Sequence, residues 1–277
     1  MSHLHILTEV FSKPWLVEAV THGNIARIVG QRAGLIPVEG RMPAEGSCGE
    51  EVEQDEMEII DGVAYIPIGG ILARKTSGFE RGNGVVDYAD IREELMIAQE
   101  DDDVLAIVPD MDTPGGTVSG CIETADLFAE ISKPVVAYTS GMICSAGYWL
   151  ASQADKIVAT RGASLGSIGV YCAFVDISEY YKKMGVSVEL FTSGEHKGAG
   201  FPGTTLSKKQ RMEMESSIKR IHDQFAEAVQ SSRPQVSSDI MDGRVFDAMQ
   251  ALELGLIDDI VSSRADAAKL ALSLANS

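Results

Sequence analysis

From residue 62 onward, short apolar runs alternate with stretches whose apolar residues recur at helical spacing, and this alternation constrains the fold more than any other feature. The run at 62–72 is followed by a predicted helix over 86–99 with Tyr88, Ile91, Leu95 and Ala98 on one face. Then come a strand at 104–108, a helix at 119–131, a strand at 135–138, a helix at 145–153 and strands at 157–159 and 186–191. Strands that alternate with helices cannot pair as hairpins, so the pattern predicts an α/β fold: a parallel sheet with helical crossovers. Helices at 207–232 (apolar face Met212, Ile218, Ile221, Phe225, Val229) and 247–254 are placed to pack on that sheet or on a neighbouring subunit.

Residues 1–36 mix apolar positions with Pro14 and polar residues, which suggests an N-terminal helical arm. Residues 37–58 carry eight carboxylates among Gly and Pro and read as an acidic linker, leaving 59–277 as the main domain.

The formal net charge of -18 argues against nucleic-acid binding, which needs clustered Lys and Arg to displace counterions. Cys48, Cys121, Cys144 and Cys172 show neither CxxC spacing nor a nearby His pattern, so no metal site or disulfide framework is expected. No cofactor is implied either. No run approaches the roughly 18 apolar residues of a membrane span, and residues 1–16 lack a signal-peptide core, so a cytoplasmic protein with no membrane span is expected.

In parallel sheets the working residues gather beyond the strand C-termini. The segment after Val108 runs Asp110-Met111-Asp112-Thr113-Pro114-Gly115-Gly116, where two glycines let backbone N–H groups approach a ligand or simply make a turn. The segment after Tyr138 reaches Cys144-Ser145-Ala146-Gly147, with Ser145 where an apolar helix begins. A serine there can be a helix cap, or a nucleophile that small neighbours leave open to a carbonyl. Residues 166–170, Gly-Ser-Ile-Gly-Val, place the hydroxyl of Ser167 before a predicted strand, or form a tight turn. The segment after Phe191 holds Glu195-His196-Lys197. Lysine as a neutral base near pH 7 needs its pKa lowered by roughly three units, which desolvation can supply. Histidine needs no such tuning but wants an orienting carboxylate.

The combination of PGG at 114–116, CSAGYWLA around Ser145, GSIGV at 166–170, SGEHKG around Lys197 and GRVFDAMQALELGLID at 243–258 closely resembles the signal peptide peptidase A (protease IV) family of serine peptidases. The resemblance covers about residues 62–261 and implies a ClpP/crotonase-like fold. It implies Ser145 as nucleophile, Lys197 as general base, Ser167 as the residue that holds the lysine, and an oxyanion hole from Gly115, Gly116 and Ala146. The arm and acidic linker look like those of phage head proteins of the family, similar to minor capsid protein C. That implies scaffold, portal or capsid polypeptides as partners, action within an assembling prohead, and a homo-oligomer. Rival readings are a signal-peptide-degrading peptidase, a Ser/His enzyme using His196, a catalytically silent capsid-assembly component and an acyl-CoA enzyme.

Overall fold

A computed structural model describes residues 15–17 and 56–277. Its core is a mixed sheet whose central strand, β5 (Ala106–Thr117), lies between β3 (Val63–Ala73) on one edge and β6 (Val136–Thr139) and β7 (Met142–Cys144) on the other, all parallel to it. β6 continues in parallel to β8 (Lys156–Ala159) and β11 (Asp259–Ile260), while β7 continues to β9 (Ser164–Gly166). Three pairings are antiparallel: β1 (Trp15–Val17) on β5, β2 (Glu58–Ile60) on β3 and β10 (Val245–Asp247) on β9. A short strand β4 (Val85–Asp87) joins β3 in parallel.

The alternation within strands decides which face each residue serves. Val63 and Tyr65 of β3, Ala106 and Val108 of β5, and Val136 and Tyr138 of β6 pack with Ala267, Ala268 and Ala271 of the C-terminal helix Arg264–Ala275. The intervening residues Ala64, Ile66, Ile68, Ile107, Met111 and Ala137 belong to the larger core on the opposite face. There sit the helices Tyr88–Glu100, Cys121–Glu130 and Ala146–Ser152, the first buried through Tyr88, Ile91, Leu95 and Ala98 as its spacing predicts. The helix Ala146–Ser152 is buried at every residue. Its Trp149 stacks on Phe225 of the long helix Lys208–Ser232, with ring centroids 4.7 Å apart and planes 5° from parallel, a pairing worth about 0.5–1.5 kcal/mol beyond area burial.

Three expectations are modified. The strand expected at 186–191 is absent: this segment has no regular structure, and Val186, Leu190 and Phe191 are exposed, so it finds no sheet edge to join. The glycines of 114–116 lie within β5 instead of in a turn after it, because β3 and β1 pair with both Gly115 and Gly116. Of the apolar face expected on Lys208–Ser232, only Phe225 and Val229 are fully buried, and Met212 is exposed. The helical arm falls outside the described residues except for Trp15–Val17, which is extended. The acidic linker also falls outside them up to residue 55.

Candidate active site

Strands β7 and β9 run in parallel and end together, with Cys144 paired to Gly166. One residue beyond that pair stand Ser145 and Ser167. Both have left-handed backbones, φ 53° and 51°. For non-glycine residues this conformation costs on the order of 1–3 kcal/mol and persists only where surrounding contacts impose it. Only Asp61 and Lys75 share it among the described non-glycine residues, so half of the positions with this strain fall at one spot.

The contacts that impose it are visible. The Ser145 N–H donates to the Gly166 carbonyl at 2.8 Å, and the Ser167 N–H donates to the Arg244 carbonyl at 2.7 Å. The Ser145 carbonyl then accepts from Trp149 N–H at 2.9 Å, opening the helix Ala146–Ser152. Ser145 precedes that helix, yet its hydroxyl makes no capping bond. The Oγ instead donates to the Gly169 carbonyl at a long 3.5 Å. The side chain is thus turned away from the role a helix cap would play, and the serine is buried to 1% exposure.

Gly115 lies against this serine. A Cβ on Gly115 would stand 2.9 Å from the Ser145 Cβ and 3.0 Å from the Ala146 nitrogen, and φ +104° is itself a glycine conformation. Gly116 is as tightly constrained, since a Cβ there would fall 1.8 Å from the Leu72 carbonyl oxygen. Gly147, at the second position of the helix, has room for no Cβ because the Thr113 methyl would be 2.4 Å away. Thr113 ties the cluster together: its hydroxyl donates to the Gly70 carbonyl at 2.6 Å and accepts from the Gly115 N–H at 3.1 Å. Sequence reasoning named Thr113, Gly166 and Gly169 within their segments but gave them no role of their own. The one available signal was that Thr113 immediately precedes the PGG run.

The structure therefore brings Ser145, Ala146, Gly115, Gly116 and Ser167 into one constellation. It gives Lys197 a different setting. Lys197 lies in the irregular segment before the long helix, where its N–H donates to the Gly194 carbonyl at 3.1 Å. Its side chain is exposed and makes no hydrogen bond or ion pair with any described residue. The neighbouring Glu195 pairs with Lys209 at 2.9 Å, not with His196. Cys121 and Cys144 are buried thiols, and burial pushes the Cys121 thiol far above its ordinary value, so Cys121 offers no competing thiolate nucleophile. Among the described residues no helix is long and apolar enough to cross a membrane.

A family model described as peptidase family S49 matches residues 128–276, which include Ser145, Ser167 and Lys197. The chain belongs to peptidase family S49. Curated relatives agree. The capsid assembly protease C of Escherichia phage lambda is 34% identical over 210 residues, covering 74% of this chain and 48% of that protein. The head-tail preconnector protein GP5 of Enterobacteria phage P21 is 28% identical over 277 residues, covering 94% of this chain and 55% of that protein. Protease 4 of Haemophilus influenzae is 32% identical over 176 residues, covering 61% of this chain and 28% of that protein. The chain thus spans about half the length, or less, of these S49 relatives. Among solved structures, a ClpP1 mutant from Listeria monocytogenes is similar over 73% of this chain and 94% of that one, with a TM-score of 0.49 and 13% identity.

Proposed function

We propose that this S49 chain is a serine endopeptidase with Ser145 as nucleophile and Lys197 as general base, and that it processes scaffold, portal or capsid polypeptides during phage or prophage head assembly. The observation that carries the reading is the strained, buried Ser145 with its hydroxyl released from capping and a possible oxyanion donor, the Ala146 N–H, beside it.

In the reaction the neutral Lys197 amine takes the Ser145 Oγ proton as Oγ adds to the scissile carbonyl. The oxyanion is held by backbone N–H groups of Ala146 and Gly116, preorganised because the surrounding chain fixes them, while the Gly115 N–H expected to join them is taken by the Thr113 hydroxyl. Collapse expels the amine of the C-terminal fragment, which takes the proton back from the lysine. Water then cleaves the serine ester, releasing the new carboxylate. Ser167, one residue past the strand pair that holds Ser145, offers a hydroxyl to position the lysine amine.

A lysine base needs removal from water, and in the single chain Lys197 is exposed. The segment that carries it also exposes apolar side chains: Val175, Tyr180, Met184, Leu190, Phe191 and Phe201 are exposed, Phe191 to 90%. A surface of that kind is covered by association, which supports a homo-oligomer in which assembly desolvates Lys197. The capsid-related names of the two phage relatives, one of which aligns along 94% of this chain, favour a head-processing role in the cytoplasm or the assembling prohead over signal-peptide degradation. The acyl-CoA and silent-capsid readings lack an observation comparable to Ser145.

A fluorophosphonate probe tests the dyad. In wild-type protein and His196→Ala the probe should phosphonylate Ser145 with loss of fluoride, and in Lys197→Ala it should not. Labelling of Lys197→Ala at the wild-type rate, with loss in His196→Ala, would overturn the assignment.

A further inference from the structure

The edge of β5 next to Ser145 is already filled by the chain's own N-terminal segment. β5 has β3 on one edge, with Ile71 opposite Gly115 and Leu72 opposite Gly116. Its other edge pairs with β7 at Thr113 and Ile143, and β7 ends at Cys144, directly before Ser145. Where β7 stops, β1 takes over the same edge in the antiparallel sense, with Trp15 opposite Thr117, Leu16 opposite Gly116 and Val17 opposite Gly115. As the arm runs from Trp15 to Val17 it therefore advances toward the nucleophile.

That is the path an acyl-side segment of a peptide would follow to deliver a carbonyl to Ser145. Strand addition to an exposed edge is a general way to hold an extended peptide: backbone hydrogen bonds give affinity and alternate side chains fill pockets. Leu16 lies opposite Gly116 in such a pairing. Its side chain is fully buried in the main core, and its carbonyl oxygen lies 2.0 Å from the point where a Gly115 Cβ would be. The Ala146 nitrogen and the Ser145 Cβ lie 3.0 Å and 2.9 Å from that same point. A peptide carbonyl of the arm is thus held beside the groups that would handle a substrate carbonyl.

We infer that Trp15–Val17 is an intramolecular pseudosubstrate: it occupies the acyl-side strand position of the peptide site and must lift off before another polypeptide binds. The same geometry assigns the ligand class, an extended peptide with a leucine-sized apolar residue where Leu16 now sits. The inference rests on the reading of Ser145 as nucleophile. Access to the site is reduced to the fraction of molecules whose arm is undocked, so weakening the arm should raise it in proportion.

The test measures the rate at which a fluorophosphonate probe labels Ser145 in the full chain, with Ser145→Ala as blank and thermal melting as the check on folding. Leu16→Asp should label at least about tenfold faster than wild type, the change expected if the docked arm is favoured ten to one or better. Leu16→Ala, which buries no charge, should show the same direction and serves if Leu16→Asp does not fold. A synthetic peptide of residues 11–19 added to the faster variant should slow labelling again, which general loosening of the fold would not explain. Folded variants that label at or below the wild-type rate, or a peptide without effect, would make β1 a fixed edge strand and overturn the inference alone. Failure of every form to label, wild type included, would remove the nucleophile assignment and the inference with it.

Discussion

The Ser145 N–H donates to the Gly166 carbonyl at 2.8 Å, and this one bond couples the ends of β7 and β9 to the start of the buried helix that follows. It holds Ser145 at φ 53° and ψ -117°, outside the comfortable regions for an L-residue. Because alanine keeps that strain and glycine does not, Ser145→Gly should be more stable than Ser145→Ala by about 1 kcal/mol, with both inactive. Chemical denaturation of the two variants measures the difference. Equal stability would mean that the backbone relaxes without cost and that no strain is stored at the nucleophile.

Thr113 supplies a second test. Its buried hydroxyl is shared between the Gly70 carbonyl and the Gly115 N–H, so Thr113→Val leaves both groups without that partner at nearly constant volume. The expected loss is about 1–3 kcal/mol of stability, together with slower acylation as Gly115 shifts against Ser145. Thr113→Ser retains the hydroxyl and should keep the acylation rate near wild type. Slow acylation in Thr113→Ser as well would assign the effect to the methyl that packs on Gly147.

Much of the fold was legible because burial imposes periodicity. Tyr88, Ile91, Leu95 and Ala98 recur at helical spacing because one helix face is covered, and the sheet strands are apolar on both faces because helices cover both. Residues 186–191 misled for the converse reason. Val186, Val188, Leu190 and Phe191 read as a strand, but an apolar run becomes one only where an edge accepts its backbone, and here Val186, Leu190 and Phe191 are exposed. At the site, Ser145, Ser167 and the glycines were visible as motifs, whereas Thr113 and the approach of Leu16 to Gly115 depend on partners more than 40 residues away in sequence. Pattern within a window cannot report such pairs.

The long helix Lys208–Ser232 is followed by Arg233, buried to 3% exposure and paired with Asp258 at 2.8 Å, with Lys156 on the other carboxylate oxygen at 3.2 Å. Burial pushes the Asp258 carboxyl up, but the Ile157 N–H and the Arg233 guanidinium more than offset this and hold it below its ordinary value. Its contribution is therefore present above the unfolded carboxylate pKa, near 4, and lost as pH falls through the lower folded value. Asp258→Asn leaves the Arg233 charge buried without its partner and should cost about 3–5 kcal/mol at pH 7, with the deficit shrinking below pH 4. Thermal melts at pH 7 and pH 3.5 check both statements. A deficit of equal size at the two pH values would assign it to lost packing.

Glu94 has the opposite sign. Burial raises its carboxyl to about 7, reinforced by the charges of Asp90, Glu56 and Glu93 and opposed by a hydrogen bond from the Met57 backbone. A raised folded value means that folding favours the protonated form, so this contribution is fully present below the unfolded pKa near 4.5 and is lost as pH rises through 7. The group is partly solvated, which reduces the effect to about 1–2 kcal/mol between pH 5 and pH 8. Glu94→Gln mimics the protonated carboxyl at every pH. It should stabilise the protein at pH 8, change little at pH 5, and flatten the stability profile between them. An unchanged slope in the variant would show that another carboxylate sets the pH dependence in this range.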